Sequence, residues 1–368
     1  MRREARWLTC AEIDGCEFEG RPSMTTIADI AKQAGVSVST VSYVLSGKRP
    51  ISAETKERVR AAIADLGYYP HAPGRALASR RTRQIAVLYP SVTAGLTEFQ
   101  LEFFTAAAEA AAGSGYAFQL STAPVTERAL LDLMRSGAVD GLILMEVRLH
   151  DWRVDLLRQH GFPFTLIGHC AENDGIDFVD LDFEVAAETV VDHLAQFGHR
   201  DIALVLGSEE QQAAEYGPAV RSLKGFESAV ARCGIAGTVI HGGPTFEAGQ
   251  TLARRLAASP ELTAAVVVSP GVLAGLVAGT YDCGRRIPEE FSLVAMVPRK
   301  FARLFTPALT TIDFPAAQMG RLGAEMLIRR LEGGADRAAH VLLHGELIAG
   351  RSTARGAASR HASLAPIG

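Results

Sequence analysis

Apolar positions near the start of the chain repeat at the spacing of an amphipathic helix. One face of this first predicted helix carries Ile27, Ile30, Ala31 and Ala34. Gly35 follows, and a glycine takes the positive φ that a sharp turn between two helices requires. The pattern predicts three short helices within residues 24–70.

The second predicted helix has one apolar face and one outward face. Ser37 is placed to cap its start. The inward positions are Val41, Val44 and Leu45, and the outward positions are Val38, Ser39, Ser42 and Tyr43. Because the outward face carries small polar groups and neither Glu nor Lys, it suits a helix that lies in the major groove of DNA. The third helix is expected to begin after Ser52, to bury Val59, Ile63 and Leu66, and to end at Gly67.

After residue 83 the pattern changes to short apolar runs that alternate with amphipathic helices. The predicted strands are 85–89, 117–121, 141–145, 164–167, 202–206, 264–268 and 293–296, and the helices between them include 103–112, 185–197 and 223–233. Continuous Val, Ile and Leu strands of this kind indicate parallel sheets covered on both faces. Residues 84–349 exceed one doubly wound sheet, so we expect an α/β body of two lobes with a cleft between them.

One charge-free stretch, residues 262–281, has the length of a membrane span. Ser269-Pro270-Gly271 interrupts it, which favours a buried strand, a turn and a helix from Val272. The start of the chain lacks the apolar core of a signal peptide, so we expect a cytoplasmic protein with no membrane partner.

Charge is divided unevenly along the chain, although the whole carries a formal net charge of only −4. Residues 24–83 carry ten basic and four acidic side chains, whereas residues 84–368 carry 23 basic and 32 acidic ones. A basic module before an acidic body indicates a nucleic-acid partner at one end. The five cysteines are scattered without a CxxC pair, so we expect reduced thiols, with no zinc site and no cofactor.

Three segments have the composition of connections or tails. Residues 1–23 show no period and are expected to be a disordered extension, with Met24 as the working start. Residues 71–83 contain Pro, Gly and basic side chains, as a hinge or linker would, and 75–79 could form a short helix. Residues 350–368 are rich in Ser, Ala, Gly and Arg and predict a flexible tail.

Four motifs over residues 25–350 resemble the lactose-repressor (LacI/GalR) family of bacterial transcription regulators. The first is Ile27-Ala-Asp-Ile-Ala with Ala34-Gly-Val-Ser and Thr40-Val-Ser, and the second is Tyr68-x-Pro with Arg75-Ala-Leu. The third is Phe197-Gly-His-Arg-Asp-Ile-Ala. The fourth is Arg286-Ile-Pro-Glu-Glu-Phe-Ser-Leu-Val with Thr306-Pro-Ala-Leu-Thr-Thr-Ile.

The resemblance implies a helix-turn-helix domain, a hinge helix and a two-lobed domain like the periplasmic sugar-binding proteins. It implies a repressor that reads a palindromic operator as a homodimer, with the second helix in the major groove and Leu77 wedged into the minor groove. The implied DNA contacts are Thr26, Ile27, Ser37, Val38, Ser39, Thr40, Ser42, Tyr43, Ser46, Ser52, Thr55, Tyr68, His71, Gly74, Arg75, Leu77 and Ala78. Candidate phosphate contacts are Lys32, Lys48, Arg49, Arg75, Arg80 and Arg81, and for Lys32 and Lys48 a solvated surface charge is an equal alternative.

Tyr43 departs from the family pattern. The family usually has Arg at this outward position, and Arg reads guanine with two hydrogen bonds. Tyr cannot make that pair, so we expect an operator that differs at this base pair or is less strict there.

Ligands of parallel sheets bind beyond the carboxyl ends of the strands. By that rule the effector candidates are Tyr89, Ser91, Glu146, Arg148, Phe183, Arg221, Ser222, Ser269, Gly271 and Val297. Several depart from the sugar-binding and purine-binding members. Phe183 replaces an Asn, Ser222 holds the place of an Arg, and Gly271 and the neighbourhood of Val297 lack an Asp.

Three hypotheses for the cleft stay open at this point. It binds a less hydroxylated small-molecule effector through Glu146, Arg148 and Phe183, or it binds a sugar or related metabolite through residues not yet placed. Alternatively it binds no effector and serves as a dimerisation body. The chain has no GxSxG, Walker or HExxH motif, and we expect no enzymatic activity. The rival functions are an extracellular solute-binding protein and an effector-independent or architectural DNA-binding protein with a degenerate cleft.

Overall fold

The computed structural model describes residues 25–46, 49–67, 81–90, 98–334 and 337–356. It divides into two compact units, and the boundary lies between Thr82 and Arg83. The predicted extension 1–23, most of the hinge and the segment 357–368 lie outside the described residues.

The first unit contains the three predicted helices, which are α1 (Ile27–Ala34), α2 (Val38–Ser46) and α3 (Ala53–Asp65). Asp29 and Thr26 form a reciprocal capping box at the start of α1, and Gly35 ends that helix with φ at 62°. The buried core of the unit consists of Ile30, Ala31, Ala34, Val41, Val59 and Ala62.

The expectation that Leu45 faces inward is wrong. Its side chain is 38% exposed, whereas Val41 is fully buried and Val44 packs against the core. Leu45 is the second-to-last residue of α2, and it is not among the apolar residues that pack against the core of this unit. Position within a nine-residue helix therefore outweighs the apolar pattern here.

The second unit alternates strands and helices. Its strands are β1 (Gln84–Leu88), β2 (Ala117–Ser121), β3 (Gly141–Leu144), β4 (Phe164–Ile167), β5 (Asp177–Leu181), β6 (Asp201–Leu206), β7 (Ala236–His241), β8 (Ala264–Val267), β9 (Ser292–Met296), β10 (Thr310–Asp313), β11 (His340–Leu343) and β12 (Glu346–Ile348). Its helices are α4 (Glu98–Gly113), α5 (Glu127–Ser136), α6 (Trp152–Gln159), α7 (Phe183–Gln196), α8 (Glu209–Ala213), α9 (Gly217–Cys233), α10 (Phe246–Ala257), α11 (Leu273–Asp282), α12 (Arg299–Ala302) and α13 (Ala316–Leu331).

The strands form two six-stranded sheets, one in each lobe. The order is β11-β5-β4-β3-β1-β2 in the first and β12-β10-β9-β8-β6-β7 in the second. The chain passes between the lobes after β5, after β10 and after β11. The predicted two-lobed α/β fold is confirmed, and strands such as β3, β4 and β8 are buried along their whole length.

One strand corrects the expectation of purely parallel sheets. β12 runs antiparallel to β10, because only His344 and Gly345 separate it from β11 in the other lobe. β11 is parallel to β5 and therefore ends at the cleft edge of the first sheet. After so short a link the chain enters the second sheet from its own cleft edge, against the direction of β10.

The segment after residue 350 is packed as far as Gly356, which differs from the predicted tail. The Ser352 hydroxyl is fully buried and accepts a hydrogen bond from the Thr310 amide at 2.8 Å. His199 of the third motif is 3% exposed, and its Nε2 lies 3.0 Å from the Ala354 carbonyl oxygen. This motif histidine thus holds the segment around Ala354 to the second lobe.

The charge-free stretch of residues 262–281 forms β8, a turn and most of α11, as its sequence predicts. Among the described helices, none combines the length and the apolar character that crossing a membrane requires.

Candidate DNA-binding surface and ligand cavity

The start of α2 presents a set of hydroxyl groups that are bonded to one another. The Ser37 hydroxyl lies 2.7 Å from that of Ser39 and 2.9 Å from that of Thr40. It also accepts the Thr40 amide hydrogen at 3.1 Å, which makes Ser37 the cap that the sequence predicts. Val38 stands beside these groups and is 46% exposed. The helix therefore offers a small polar and apolar surface that is free of charge.

Tyr43 is half-buried and lies farther along α2. The guanidinium of Arg49 lies 5.5 Å from the centre of the Tyr43 ring, within the range of a cation–π contact. Ser52 caps α3 through the Thr55 amide and also donates to the Thr55 hydroxyl at 2.8 Å. Local hydrogen bonds at Ser37 and Ser52, together with the contact of Arg49 on Tyr43, thus hold the side chains of this outward surface in place.

Several predicted contacts lie outside the described residues and stay predictions. They are Tyr68 after α3, His71, Gly74, Arg75, Leu77 and Ala78 in the hinge, Ser91 in the cleft, and Lys48 and Arg80 among the phosphate contacts. For Ser46 only the backbone within α2 is described.

A cavity of about 730 Å³ opens within the second unit, at the carboxyl ends of strands from both sheets. Tyr89 follows β1, Glu146 follows β3, Gly207 follows β6 and Phe314 follows β10. A cavity in this place follows from the topology, because parallel strands end together on one edge of a sheet.

The structure brings together only some of the predicted effector residues. Those that line the cavity are Tyr89, Glu146, Phe183, Ser269 and Gly271. Arg148 is exposed and lines a smaller neighbouring cavity of about 300 Å³ with Trp152. Glu146 borders both cavities.

Arg221, Ser222 and Val297 are buried instead of lining the cavity. The Arg221 guanidinium donates to the carbonyl oxygens of His169 at 2.9 Å and Cys170 at 3.2 Å. Burial lowers the pKa of Arg221. Its side chain supports the loop after β4, and it does not replace the family's arginine at the cavity wall.

Two tyrosines and a carboxylate meet at the cavity wall. Glu146, with φ at 54°, lies close to the Tyr89 hydroxyl. Burial, and then the negative charge of Glu146, raise the pKa of Tyr89. The same two causes, in the same order, raise the pKa of the buried Tyr216. Both phenols therefore stay neutral in the physiological pH range.

Sequence reasoning missed much of the cavity wall. The missed lining residues include Gln100, Asp180, Ser208, Gln211, Tyr216, Phe246, Phe301 and Phe314. Ser208 stands two residues after the predicted strand 202–206, so the rule of carboxyl strand ends could have found it. Asp180 belongs to β5 and Phe314 follows β10, two strands that were not predicted, and nothing local marks Phe246.

Within the described part of the chain, no three His, Cys, Asp or Glu side chains are grouped so that they could hold a metal ion. Cys170, Cys233 and Cys283 are free thiols.

Comparison with known proteins agrees with both units. Residues 26–71 match the family described as bacterial regulatory proteins, lacI family, and residues 191–353 match a periplasmic binding protein-like domain. The chain carries a LacI-family DNA-binding domain followed by a periplasmic binding protein-like domain. The helix-turn-helix reading of α1 and α2 is thereby confirmed, and the matched family is one of regulatory proteins, which are not enzymes.

Individual LacI-family relatives match along almost their whole length. The repressor PurR of Erwinia tasmaniensis is 29% identical over 343 residues, which are 90% of this chain and 98% of the relative. Catabolite control protein A of Priestia megaterium is 27% identical over 311 residues, or 83% and 92% of the two chains.

Solved structures of the LacI family show the same architecture. The lac repressor dimer bound to operator and the anti-inducer ONPF gives a TM-score of 0.77 at 23% identity and covers 90% of this chain and 100% of that one. The regulator CelR in complex with cellobiose gives 0.66 at 26% identity, with 89% and 99% covered. The first of these likenesses shows the fold alone.

Proposed function

We propose that this LacI-family chain is a cytoplasmic repressor that binds a palindromic DNA operator as a homodimer. Residues 24–70 form the DNA-binding domain, 71–83 the hinge and 84–349 the effector-binding and dimerisation body. α2 enters the major groove and Leu77 of the hinge wedges into the minor groove. A small-molecule effector in the cavity modulates the affinity for DNA.

The outward surface of α2 is the observation that carries this proposal. This surface is an uncharged edge made of Val38, Ser39 and the hydroxyl of the capping residue Ser37. It can approach bases without electrostatic repulsion. Residues 24–83 supply a surplus of six positive charges for phosphate contacts. A two-fold operator requires two copies of the module, which a dimer provides.

Effector control needs only the cavity and a two-state body. A ligand that favours a closed cleft would shift the lobes and thereby the hinge residues that reach the DNA. Couplings of this kind typically amount to about 1–3 kcal/mol, or about 5-fold to 150-fold in affinity.

Selection of random DNA duplexes by the purified full chain tests the proposal. We expect one symmetric consensus, bound about a thousandfold or more tightly than random DNA at physiological salt. Enrichment without any consensus, with equal affinity for all duplexes, would instead support the architectural alternative. Binding of single half-sites only would contradict the dimer.

Tyr43 should alter the base preference of the operator. We expect the selected site to lack the strict guanine that an Arg at this position would read, a preference worth about 1–3 kcal/mol. Binding of all single-base variants of the operator to wild type, Tyr43→Phe and Tyr43→Arg measures this. Tyr43→Arg should gain a guanine preference, and a wild type that already requires guanine strictly and is unaffected by Tyr43→Phe would refute a polar role for Tyr43.

A further inference from the structure

The described lining of the large cavity has an unusual balance of side chains for a site that would hold a sugar. It includes two carboxylates, Glu146 and Asp180, and among the described residues no Lys, Arg or His. The aromatic lining residues are Tyr89, Phe103, Phe183, Tyr216, Phe246, Phe301 and Phe314. Aromatic faces and carboxylates share one electrostatic property, because both attract positive charge.

Several polar groups of the lining are already bonded within the protein. The Ser208 hydroxyl accepts from the Gln211 backbone amide, and the Gln211 side-chain oxygen accepts from the Ser208 backbone amide at 3.2 Å. Gln100 donates to the Tyr89 hydroxyl at 3.2 Å. A ligand rich in hydroxyl groups must replace its bonds to water, and these engaged groups compete with it for their partners.

The helix starts that face the cavity are also poorly suited to an anion. Asp182 caps α7 through the Val185 amide, and Thr245 caps α10 through the Ala248 amide. The Gly217 amide at the start of α9 donates to the Val147 carbonyl oxygen, and the next residue, Pro218, has no N–H. Each of these helix starts therefore has at least one amide already engaged or missing, which weakens its attraction for an anion.

The two carboxylates differ in their surroundings. Asp180 lies 2.8 Å from His169 Nδ1, is 2% exposed, and has the buried Arg221 in its electrostatic neighbourhood. Glu146 is more exposed than Asp180, and it lies near Tyr89 and Tyr216 on the border of both cavities. Glu146 is thus the better placed of the two to face a ligand.

We propose that the cavity takes an organic cation, an amine or quaternary ammonium on an apolar body, with the charge between Glu146 and the aromatic rings. This inference rests on the proposed function, because it names the class of the effector. Phe183 packs against Phe314 at 5.6 Å between ring centres and forms the floor, while Phe246 is 44% exposed and stands at the rim.

Calorimetric titration of the full chain with charged and uncharged probes tests the inference. The cations are choline and benzyltrimethylammonium, and the uncharged analogue of choline is 3,3-dimethylbutan-1-ol. We expect the cations to bind about tenfold or more tightly than the uncharged analogue. Benzoate, a disaccharide and a purine base complete the panel and should not compete.

Three variants make the result specific. Glu146→Gln keeps the size of the side chain and should weaken cation binding about tenfold, to the level of the uncharged probe. Phe246→Leu at the rim should weaken it about threefold without affecting the fold. Glu227→Gln removes an exposed carboxylate on α9, outside the cavity lining, and should change nothing.

The inference would be overturned by equal binding of choline and its uncharged analogue, or by a Glu146→Gln variant that binds cations as the wild type does. Binding of the disaccharide or purine instead, or no binding of any probe, would also overturn it. The DNA selection described above separates this failure from that of the proposed function. A consensus operator recovered without cation binding would contradict only the proposed ligand class. Cation binding without a consensus would contradict the proposed operator-specific repressor.

Discussion

A Val38→Glu variant should bind the operator about a hundredfold or more weakly than the wild type. Its free energy of unfolding should stay within about 0.5 kcal/mol of the wild-type value. Val38 is 46% exposed at the start of α2, so a longer polar side chain meets no packed neighbour in the free protein. On the proposed DNA complex the new carboxylate would face bases and phosphates, and juxtaposed like charges cost several kcal/mol. Fluorescence anisotropy with the selected operator at fixed salt measures the change.

Ala64→Glu is the matched control for that experiment. Ala64 is exposed on α3, nine residues after Thr55 and therefore on the opposite side of that helix. The Ala64→Glu substitution adds the same charge to the same small unit. It should therefore reduce the affinity for the operator only by weak long-range repulsion, about threefold at most. Equal losses for the two variants would show that net charge matters and that α2 does not face the DNA.

An Asp177→Ala variant should destabilise the second unit by about 3 kcal/mol. Asp177 is fully buried, and its carboxylate accepts from Arg330 Nε at 2.7 Å and Arg329 at 3.3 Å on α13. It also accepts the Ala339 amide hydrogen at 2.7 Å, just before β11. The substitution leaves that amide and part of two guanidinium groups without their acceptor. Urea unfolding at one protein concentration should show a lower midpoint with an unchanged slope.

Glu325→Ala provides the comparison on the same helix. Glu325 pairs with Arg321 at 3.3 Å, but both side chains are about half exposed, and such pairs contribute little. We expect a change below about 0.5 kcal/mol. If Asp177→Ala were equally mild, the buried carboxylate would not hold α13 and β11 to the first sheet.

Polar residues explain why some strands escaped prediction. β5 reads Asp-Phe-Val-Asp-Leu, and its two acidic residues interrupt the apolar run that marks a buried strand. Both carboxylates are nevertheless buried, because Arg329 and Arg330 come from α13 and His169 from the loop after β4. A partner some 150 residues away in the chain leaves no trace in the local pattern.

The cavity shows the same limit at the level of single side chains. The sequence marks the region around Arg221 and Ser222, but helical packing turns Arg221 to the carbonyl oxygens of His169 and Cys170. Tyr216, Phe301 and Phe314 reach the cavity wall from three separate elements, and only the packed lobes bring them together.

The sequence by itself determined the family, the three-helix module, most of the central strands and the outward surface of α2. These features depend on residues within one helix or one strand, where period, caps and turn glycines act locally. The tertiary structure alone decided the strand order, the antiparallel β12, the packing of Ser352 and the composition of the cavity. Those features depend on contacts between residues far apart in the chain, whose partners are chosen only when the sheets assemble.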